Sequence, residues 1–248
     1  QMPMPPRYLR ESDVVWETMI WRTVDFRMKF NQMFYYPLEE EGIEGRKNFA
    51  FVLWDAICAD EIKIYRDDEC KIPIDNQFFV KQMTKGDTIQ LEIIDDDENY
   101  QYKTIIVPRQ FSTENILQFK MKEVWYVEKA STQLSVRNLS LGLYINKFRT
   151  IGDEQINIGM INLFWIPLLS PSVQKLLNQH EAFDEYNIAH LPSWYQILHW
   201  RRFESFVNRE SNRFNREIMA YALGEDALLE SERIEEKILQ ISEDMWEY

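Results

Sequence analysis

The chain has 248 residues and a formal net charge of −13, and it is 45% hydrophobic and 14% aromatic. This composition excludes a disordered chain, and the length suffices to bury a core without disulfides or metal. The acidic balance disfavours nucleic acid and anionic membranes as main partners, because phosphate binding needs clusters of lysine and arginine. No stretch approaches the roughly eighteen apolar residues of a membrane-spanning helix.

The N-terminal part predicts an extended arm followed by helices. Residues 1–11 are rich in proline, which favours extended backbone. A serine and an aspartate follow, which suit the first turn of a helix, so we predict a helix over residues 13–31. It includes Trp16 and Trp21, and we expect both to face the protein's own core. A second helix is predicted over residues 49–60.

From about residue 77 the apolar period changes to two, which predicts strands. The predicted strands cover residues 79–83, 88–94, 100–107, 117–127, 134–145 and 161–166. Residues 85–87 are suited to a turn, so the first two strands are expected to form a hairpin. In the strand over 134–145 the apolar positions change from even to odd numbers. This switch predicts a β-bulge near Arg137 and Asn138.

Glu123 interrupts the apolar face of the strand over residues 117–127. The turn that follows this strand places Arg137 nearly opposite it. A carboxylate on a buried face needs a charged partner. We therefore predict a structural ion pair between Glu123 and Arg137, and favour it over a catalytic role for Glu123.

After Pro171 the pattern becomes helical again, and it ends in helices. The predicted helices cover residues 172–180, 193–207, 213–223 and 226–243. The order of helices, then antiparallel strands, then helices predicts an α+β fold with about five or six strands in the central sheet. No polar linker divides the chain, so we expect a single integrated domain over residues 1–248, with residues 1–11 as an N-terminal arm.

Motifs for catalysis or metal binding are not found in the sequence. The 7 glycines form no phosphate-binding loop. The three histidines, His180, His190 and His199, lack the spacing of metal ligands. We therefore predict no catalytic residue, no metal and no cofactor.

Cys58 and Cys70 are the only cysteines. A pair is compatible with one disulfide, and the count alone does not decide it. Because Cys58 lies in an apolar predicted helix, a buried free thiol is the preferred interpretation.

The aromatic content is the remaining functional signal, because tyrosine, tryptophan and arginine dominate interface hot spots. Most of these rings belong to the core, and the exceptions are expected in the least anchored segments. The predicted partner-binding residues are Pro5, Pro6, Arg7, Tyr8, Tyr35, Tyr36, Trp246 and Tyr248. A proline-rich arm loses little entropy on docking, so residues 1–10 are expected to lie on a neighbouring subunit or partner.

Three long blocks carry a family resemblance. They read MPPRYLRESDVVWETMIWRTVDFRMKFNQMFYYP (Met4–Pro37), FKMKEVWYVEKASTQLSVRNLSLGL (Phe119–Leu143) and YALGEDALLESERIEEKILQISEDMWEY (Tyr221–Tyr248). The middle block contains both Glu123 and Arg137. In these blocks the chain resembles the GldN/PorN family of type IX secretion and gliding motility proteins of Bacteroidota.

The resemblance implies an exported, non-enzymatic protein of the periplasm. It implies a ring formed with an outer-membrane lipoprotein of GldK/PorK type, with copies of the chain as neighbours. It also implies contact with the GldL–GldM motor through the periplasmic part of the GldM-type protein. Two other hypotheses remain: a cell-envelope glycan-binding or hydrolytic domain that uses exposed aromatics and carboxylates, and a soluble adaptor without an assembly of its own. A pocket that gathers two carboxylates and an exposed tryptophan would favour the glycan hypothesis.

Overall fold

A seven-stranded antiparallel sheet organises the fold, which is α+β as predicted. The computed structural model describes residues 13–85, 87–94, 100–107, 111–129, 133–151, 154–183, 191–213 and 216–244. The strands are β1 (Val14–Asp25), β2 (Ile64–Tyr65), β3 (Pro73–Ile74), β4 (Asp87–Ile94), β5 (Tyr100–Val107), β6 (Ile116–Glu128), β7 (Leu134–Ile151), β8 (Glu154–Pro167) and β9 (Phe206–Glu210). Their order in the sheet is β3-β2-β8-β7-β6-β1-β9, and β4 and β5 form a separate two-stranded sheet.

The helices cover one face of the large sheet, which we call the helix face. They are α1 (Gln32–Tyr35), α2 (Phe49–Cys58), α3 (Asn76–Met83), α4 (Pro171–Gln179), α5 (Trp194–His199) and α6 (Glu225–Asp244). Apolar residues of α2, α4 and α5 share one core with the sheet, and α6 packs on a smaller cluster around Ile20. No helix in the described ranges is both long and apolar enough to cross a membrane.

The register of the strands explains where the core lies. Val24, Phe119, Leu143 and Phe164 are direct neighbours across four strands, and all four side chains are buried. Because successive residues of a strand point to opposite faces, this row identifies the residues that face the helices. The ring of Phe34 packs on this layer, 5.1 Å from that of Phe119.

The helix predicted over residues 13–31 is wrong, because residues 14–25 form β1. The even-numbered Trp16, Ile20 and Val24 face the helices, whereas Trp21 is buried on the opposite face. Because β1 is covered on both faces, its apolar residues occupy both odd and even positions. The same pattern fits a helix with a wide apolar stripe, which explains the wrong prediction. The β-branched residues of this segment favour the strand.

The strand predicted over residues 79–83 is also wrong, because these residues belong to α3. Asp75 caps this helix by accepting a hydrogen bond from the Phe78 amide at 2.8 Å. The predicted hairpin across residues 85–87 therefore does not form, and β4 pairs with β5 instead.

The helix predicted over residues 193–207 ends at His199, and Arg201 adopts a positive φ of 53°. The chain then forms β9, which pairs with β1. In the described part of the predicted helix 213–223, only the 3-10 turn Ile218–Ala220 is helical. The helices predicted over 49–60, 172–180 and 226–243 are confirmed as α2, α4 and α6.

The predicted bulge is confirmed. Lys122 pairs with Ser140 and Glu123 with Asn138, so Leu139 is the extra residue of β7. The strands predicted over 88–94, 100–107, 117–127, 134–145 and 161–166 lie within β4 to β8. Of the predicted strands, only those within β6, β7 and β8 belong to the seven-stranded sheet. β1 and β9 join one edge, where the sequence predicted helices, and the short β2 and β3 join the other.

Candidate functional site

A charged network lies within the helix face, around Glu123 of β6. The side chain of Glu123 is fully buried. Its Oε1 accepts a hydrogen bond from Arg201 Nη1 at 2.5 Å, and its Oε2 accepts from Arg22 Nε at 3.1 Å and from Trp125 Nε1 at 2.8 Å. Arg22 Nη1 also donates to Glu235 Oε1 at 2.6 Å. These bonds link four parts of the chain: β1, β6, α6 and the segment that follows α5.

The structure gives Glu123 these two arginines in place of the predicted partner, Arg137. Arg137 pairs with Val124 and not with Glu123, so it lies on the opposite face of the sheet. There its guanidinium lies 5.6 Å from the centre of the Tyr126 ring. Sequence reasoning missed Arg22 and Arg201 because both follow from elements that the pattern assigned to helices.

The Glu123 carboxylate is suited to a structural role. Both oxygens accept bonds from protein donors, and the flanking rings and helices leave it fully buried. Ion pairs with two guanidinium groups offset the cost of burying this side chain. We therefore interpret the network as a clamp that fixes α6 and the segment after α5 against the sheet.

Two of the predicted partner-binding residues, Tyr35 and Tyr36, are described by the structure. Their rings make an edge contact with centroids 5.0 Å apart. The Tyr35 hydroxyl donates to the Glu114 carbonyl at 3.1 Å, which anchors this ring, whereas Tyr36 is 47% exposed. The other six, Pro5, Pro6, Arg7, Tyr8, Trp246 and Tyr248, lie outside the described residues, as do residues 1–11.

The face opposite the helices, which we call the loop face, holds a second charged cluster. Asp68, on the segment between β2 and β3, accepts from Trp21 Nε1 at 2.6 Å and from Arg209 Nη2 at 3.1 Å. Lys122 Nζ lies 3.7 Å from the same carboxylate. The Arg209 guanidinium lies 3.5 Å from the centre of the Trp21 ring. Trp21 and Trp16 thus both pack within the protein, but on opposite faces of β1.

A cleft of about 320 Å³ opens beside this cluster, and it bears on the glycan hypothesis. It gathers the carboxylates of Asp68 and Glu217 with the indoles of Trp21 and Trp165. The two indoles are only 8% and 5% exposed. Because stacking on a sugar needs an exposed ring face, the cleft lacks the exposed tryptophan that the hypothesis requires.

Tyr144 and Gly142 complete the packing of the loop face. Burial, followed by the nearby Glu217 and Asp68 carboxylates, raises the pKa of Tyr144 to about 12. The Trp165 ring lies directly over Gly142, where a Cβ would come within 2.6 Å of two ring atoms. The residue at this position must therefore be glycine for the indole to lie flat on the sheet.

Both cysteines are free, and the predicted burial of Cys58 is wrong. Cys58 is the last residue of α2 and is exposed, because the apolar face of the helix ends one residue earlier at Ile57. Burial, followed by the charges of Asp67 and Asp68, raises the pKa of Cys70 to about 12. No group of three metal-binding side chains occurs in the part of the chain that the structure describes.

A hairpin projects beyond the main sheet and presents the clearest candidate interface. β6 ends its pairing with β7 at Ile145, so residues 147–151 and 154–159 pair only with each other among the described strands. Phe148, Ile156 and Ile158 of this projecting hairpin are between 42% and 52% exposed. Two-stranded hairpins are marginal in water, and clustered exposed apolar side chains indicate contact surfaces.

A groove of about 1050 Å³ continues this surface toward α3. The hairpin base contributes Ile145 and Ile161, and α3 contributes Phe78 and Met83. The outer edge of β8 from residue 154 to residue 164 has no strand partner within the described ranges. Such an edge can accept an extended segment of another chain by β-addition.

Comparison with known proteins gives one match. Residues 9–247 match the model of a family described as gliding motility associated protein GldN. The match spans the Glu123 network, the loop-face cluster, the projecting hairpin and α6. No curated protein matches the chain.

Proposed function

Because the chain belongs to the GldN family of gliding motility associated proteins, we propose that it is a non-enzymatic structural subunit of the type IX secretion and gliding machinery. The observation that carries the proposal is the family match, which covers residues 9–247. A match of this extent includes every surface described above. The function therefore belongs to the whole fold, which acts as a scaffold for protein contacts.

In this proposal the protein lies in the periplasm and forms a ring with an outer-membrane lipoprotein of GldK/PorK type. Copies of the chain are neighbours in the ring, and the periplasmic part of a GldM-type motor protein contacts it. Two features support a role in assembly. The projecting hairpin offers apolar side chains and edges that pair with no other described strand, and the Glu123 clamp fixes α6 and the segment after α5 against the sheet.

The N-terminal arm, residues 1–11, belongs to the same proposal. Its prolines favour an extended backbone, which loses little entropy when it docks on a neighbour. Deletion of residues 2–10 is expected to weaken the complex while the monomer remains folded. An unchanged complex would remove the arm from the interface.

Size-exclusion chromatography with light scattering tests the proposal, on this chain alone and mixed with the lipoprotein. A stable complex of large mass that forms only in the mixture is the expected result. A chain that stays monomeric and does not bind the lipoprotein would overturn the ring proposal.

A matched pair of variants locates the contact in the same assay. Ile156→Ser with Ile158→Ser removes apolar surface from the projecting hairpin, and the complex is expected to weaken at least tenfold. Val15→Ser is the control, because Val15 is equally exposed but lies at the opposite end of the sheet. Equal weakening by both variants would contradict a role for the hairpin.

A further inference from the structure

The segment before α6 and the outer surface of α6 form a second apolar surface, distinct from the projecting hairpin. Six large apolar side chains here are between 49% and 72% exposed. We call them the C-terminal patch: Met219, Tyr221, Leu223, Leu228, Leu229 and Leu239. Five of them fall within eleven residues of sequence, so they form a concentrated surface of the kind that marks a contact site.

Among the described residues, α6 is attached to the fold through its other side. Ile234 and Ile238 are buried in the cluster around Ile20. Ser231 Oγ accepts a hydrogen bond from the Val207 amide at 2.7 Å. Glu235 accepts a hydrogen bond from Arg22, as described above. Apolar packing and polar bonds therefore both hold this side of α6 against the sheet. Leu228, Leu229 and Leu239 are therefore presented outward on a fixed helix, and the other three residues of the patch lie on the segment before it.

The charge around the patch is strongly negative. Residues 217–244 contain nine acidic and two basic residues, a net charge of −7 out of −13 for the whole chain. Glu225, Asp226, Glu232 and Glu236 are exposed, and no residue in the described ranges forms an ion pair with them. The surface complementary to these exposed leucines and carboxylates is apolar and bordered by positive charge.

We propose that the C-terminal patch docks a partner protein whose contact surface is an apolar strip bordered by lysine and arginine. The leucines supply the apolar core of such an interface, and the acidic rim steers and orients a basic partner. This inference rests on the proposed function, in which the chain binds other proteins of the machinery. A second copy of the chain is disfavoured, since the same patch on two copies would bring two charges of −7 together.

The test measures binding of the intact chain to two immobilised proteins in turn, the outer-membrane lipoprotein and the periplasmic part of the GldM-type protein. Leu228→Ser with Leu229→Ser is expected to weaken binding to one of them at least tenfold. Glu225→Gln with Asp226→Asn and Glu232→Gln is expected to slow association with the same protein several-fold at low salt, and less at high salt. Val15→Ser again serves as the control.

The outcomes separate this inference from the function on which it rests. If the unmodified chain binds and both patch variants bind equally well, the inference is overturned and the proposed function stands. If the unmodified chain binds neither protein, both are overturned. The chain alone could form a dimer that the leucine variant dissociates. This result would assign the patch to self-association and overturn the proposal of a basic partner. Unchanged urea unfolding of the variants shows that any loss of binding comes from the surface.

Discussion

Glu123 on the helix face and Asp68 on the loop face have the same kinds of partner. Each accepts hydrogen bonds from an arginine and from a tryptophan indole, and each has a second cation nearby. They differ in burial, because Glu123 is fully buried in a strand whereas the Asp68 side chain is 27% exposed on a loop. We therefore expect similar contacts to contribute differently to stability, according to whether water can replace a lost partner.

The largest expected effect is that of Glu123→Gln. The substitution removes a fully buried anion, which leaves Arg201 without its partner and Arg22 with Glu235 alone, so the free energy of unfolding is expected to fall by about 3–5 kcal/mol. Urea denaturation followed by circular dichroism measures the loss. A loss below about 1 kcal/mol would contradict the structural role of the network.

Gly142→Ala tests the packing of the loop face without touching a charge. The new Cβ would meet the Trp165 ring, which must move together with the strands that hold it. Overpacking of this kind is expected to cost about 1–3 kcal/mol, with a change in tryptophan fluorescence. Unchanged stability and fluorescence would show that the indole does not lie against the strand.

Asp68→Asn is the direct counterpart of Glu123→Gln, since it also neutralises a carboxylate bound to arginine and tryptophan. Because the Asp68 side chain is partly exposed, water can reach the altered position, and Lys122 keeps the Glu69 carboxylate 3.9 Å from its Nζ. The free energy of unfolding is expected to fall by only about 1–2 kcal/mol, measured by the same urea titration. If both substitutions lowered the free energy of unfolding by the same amount, the difference in burial between Glu123 and Asp68 would have no effect on stability.

The reactivity of the Cys70 thiol reports on the loop face, and Cys58 at the end of α2 serves as an internal reference. Cys70 lies two residues after Asp68, and its pKa of about 12 keeps it protonated at pH 8, where an exposed Cys58 has a larger reactive fraction. Alkylation of the native protein is expected to modify Cys58 first. Asp68→Asn is expected to accelerate labelling of Cys70, because it loosens the loop and removes one of the charges that raise the pKa. Equal rates for the two thiols in the native protein would contradict the difference in burial.

The sequence predicted only part of the candidate sites. Glu123 was identified because a carboxylate interrupted an otherwise apolar face, yet its partners Arg22 and Arg201 lie 101 and 78 residues away in the sequence. The projecting hairpin was not predicted, since the predicted strands cover residues 134–145 and 161–166 and leave Ile156 and Ile158 outside them. Their exposure follows from β6 ending its pairing at Ile145 while β7 and β8 continue.

The sequence by itself determined the α+β class, the bulge between β6 and β7, and the helices α2, α4 and α6. These features depend on local periodicity, on helix caps and on the alternation of neighbouring residues along a strand. Only the tertiary structure decided that residues 14–25 form a strand and that Glu123 is held by Arg22 and Arg201. The reason is physical: strand pairing and burial on both faces of β1 depend on residues far away in the chain, and no local pattern carries that information.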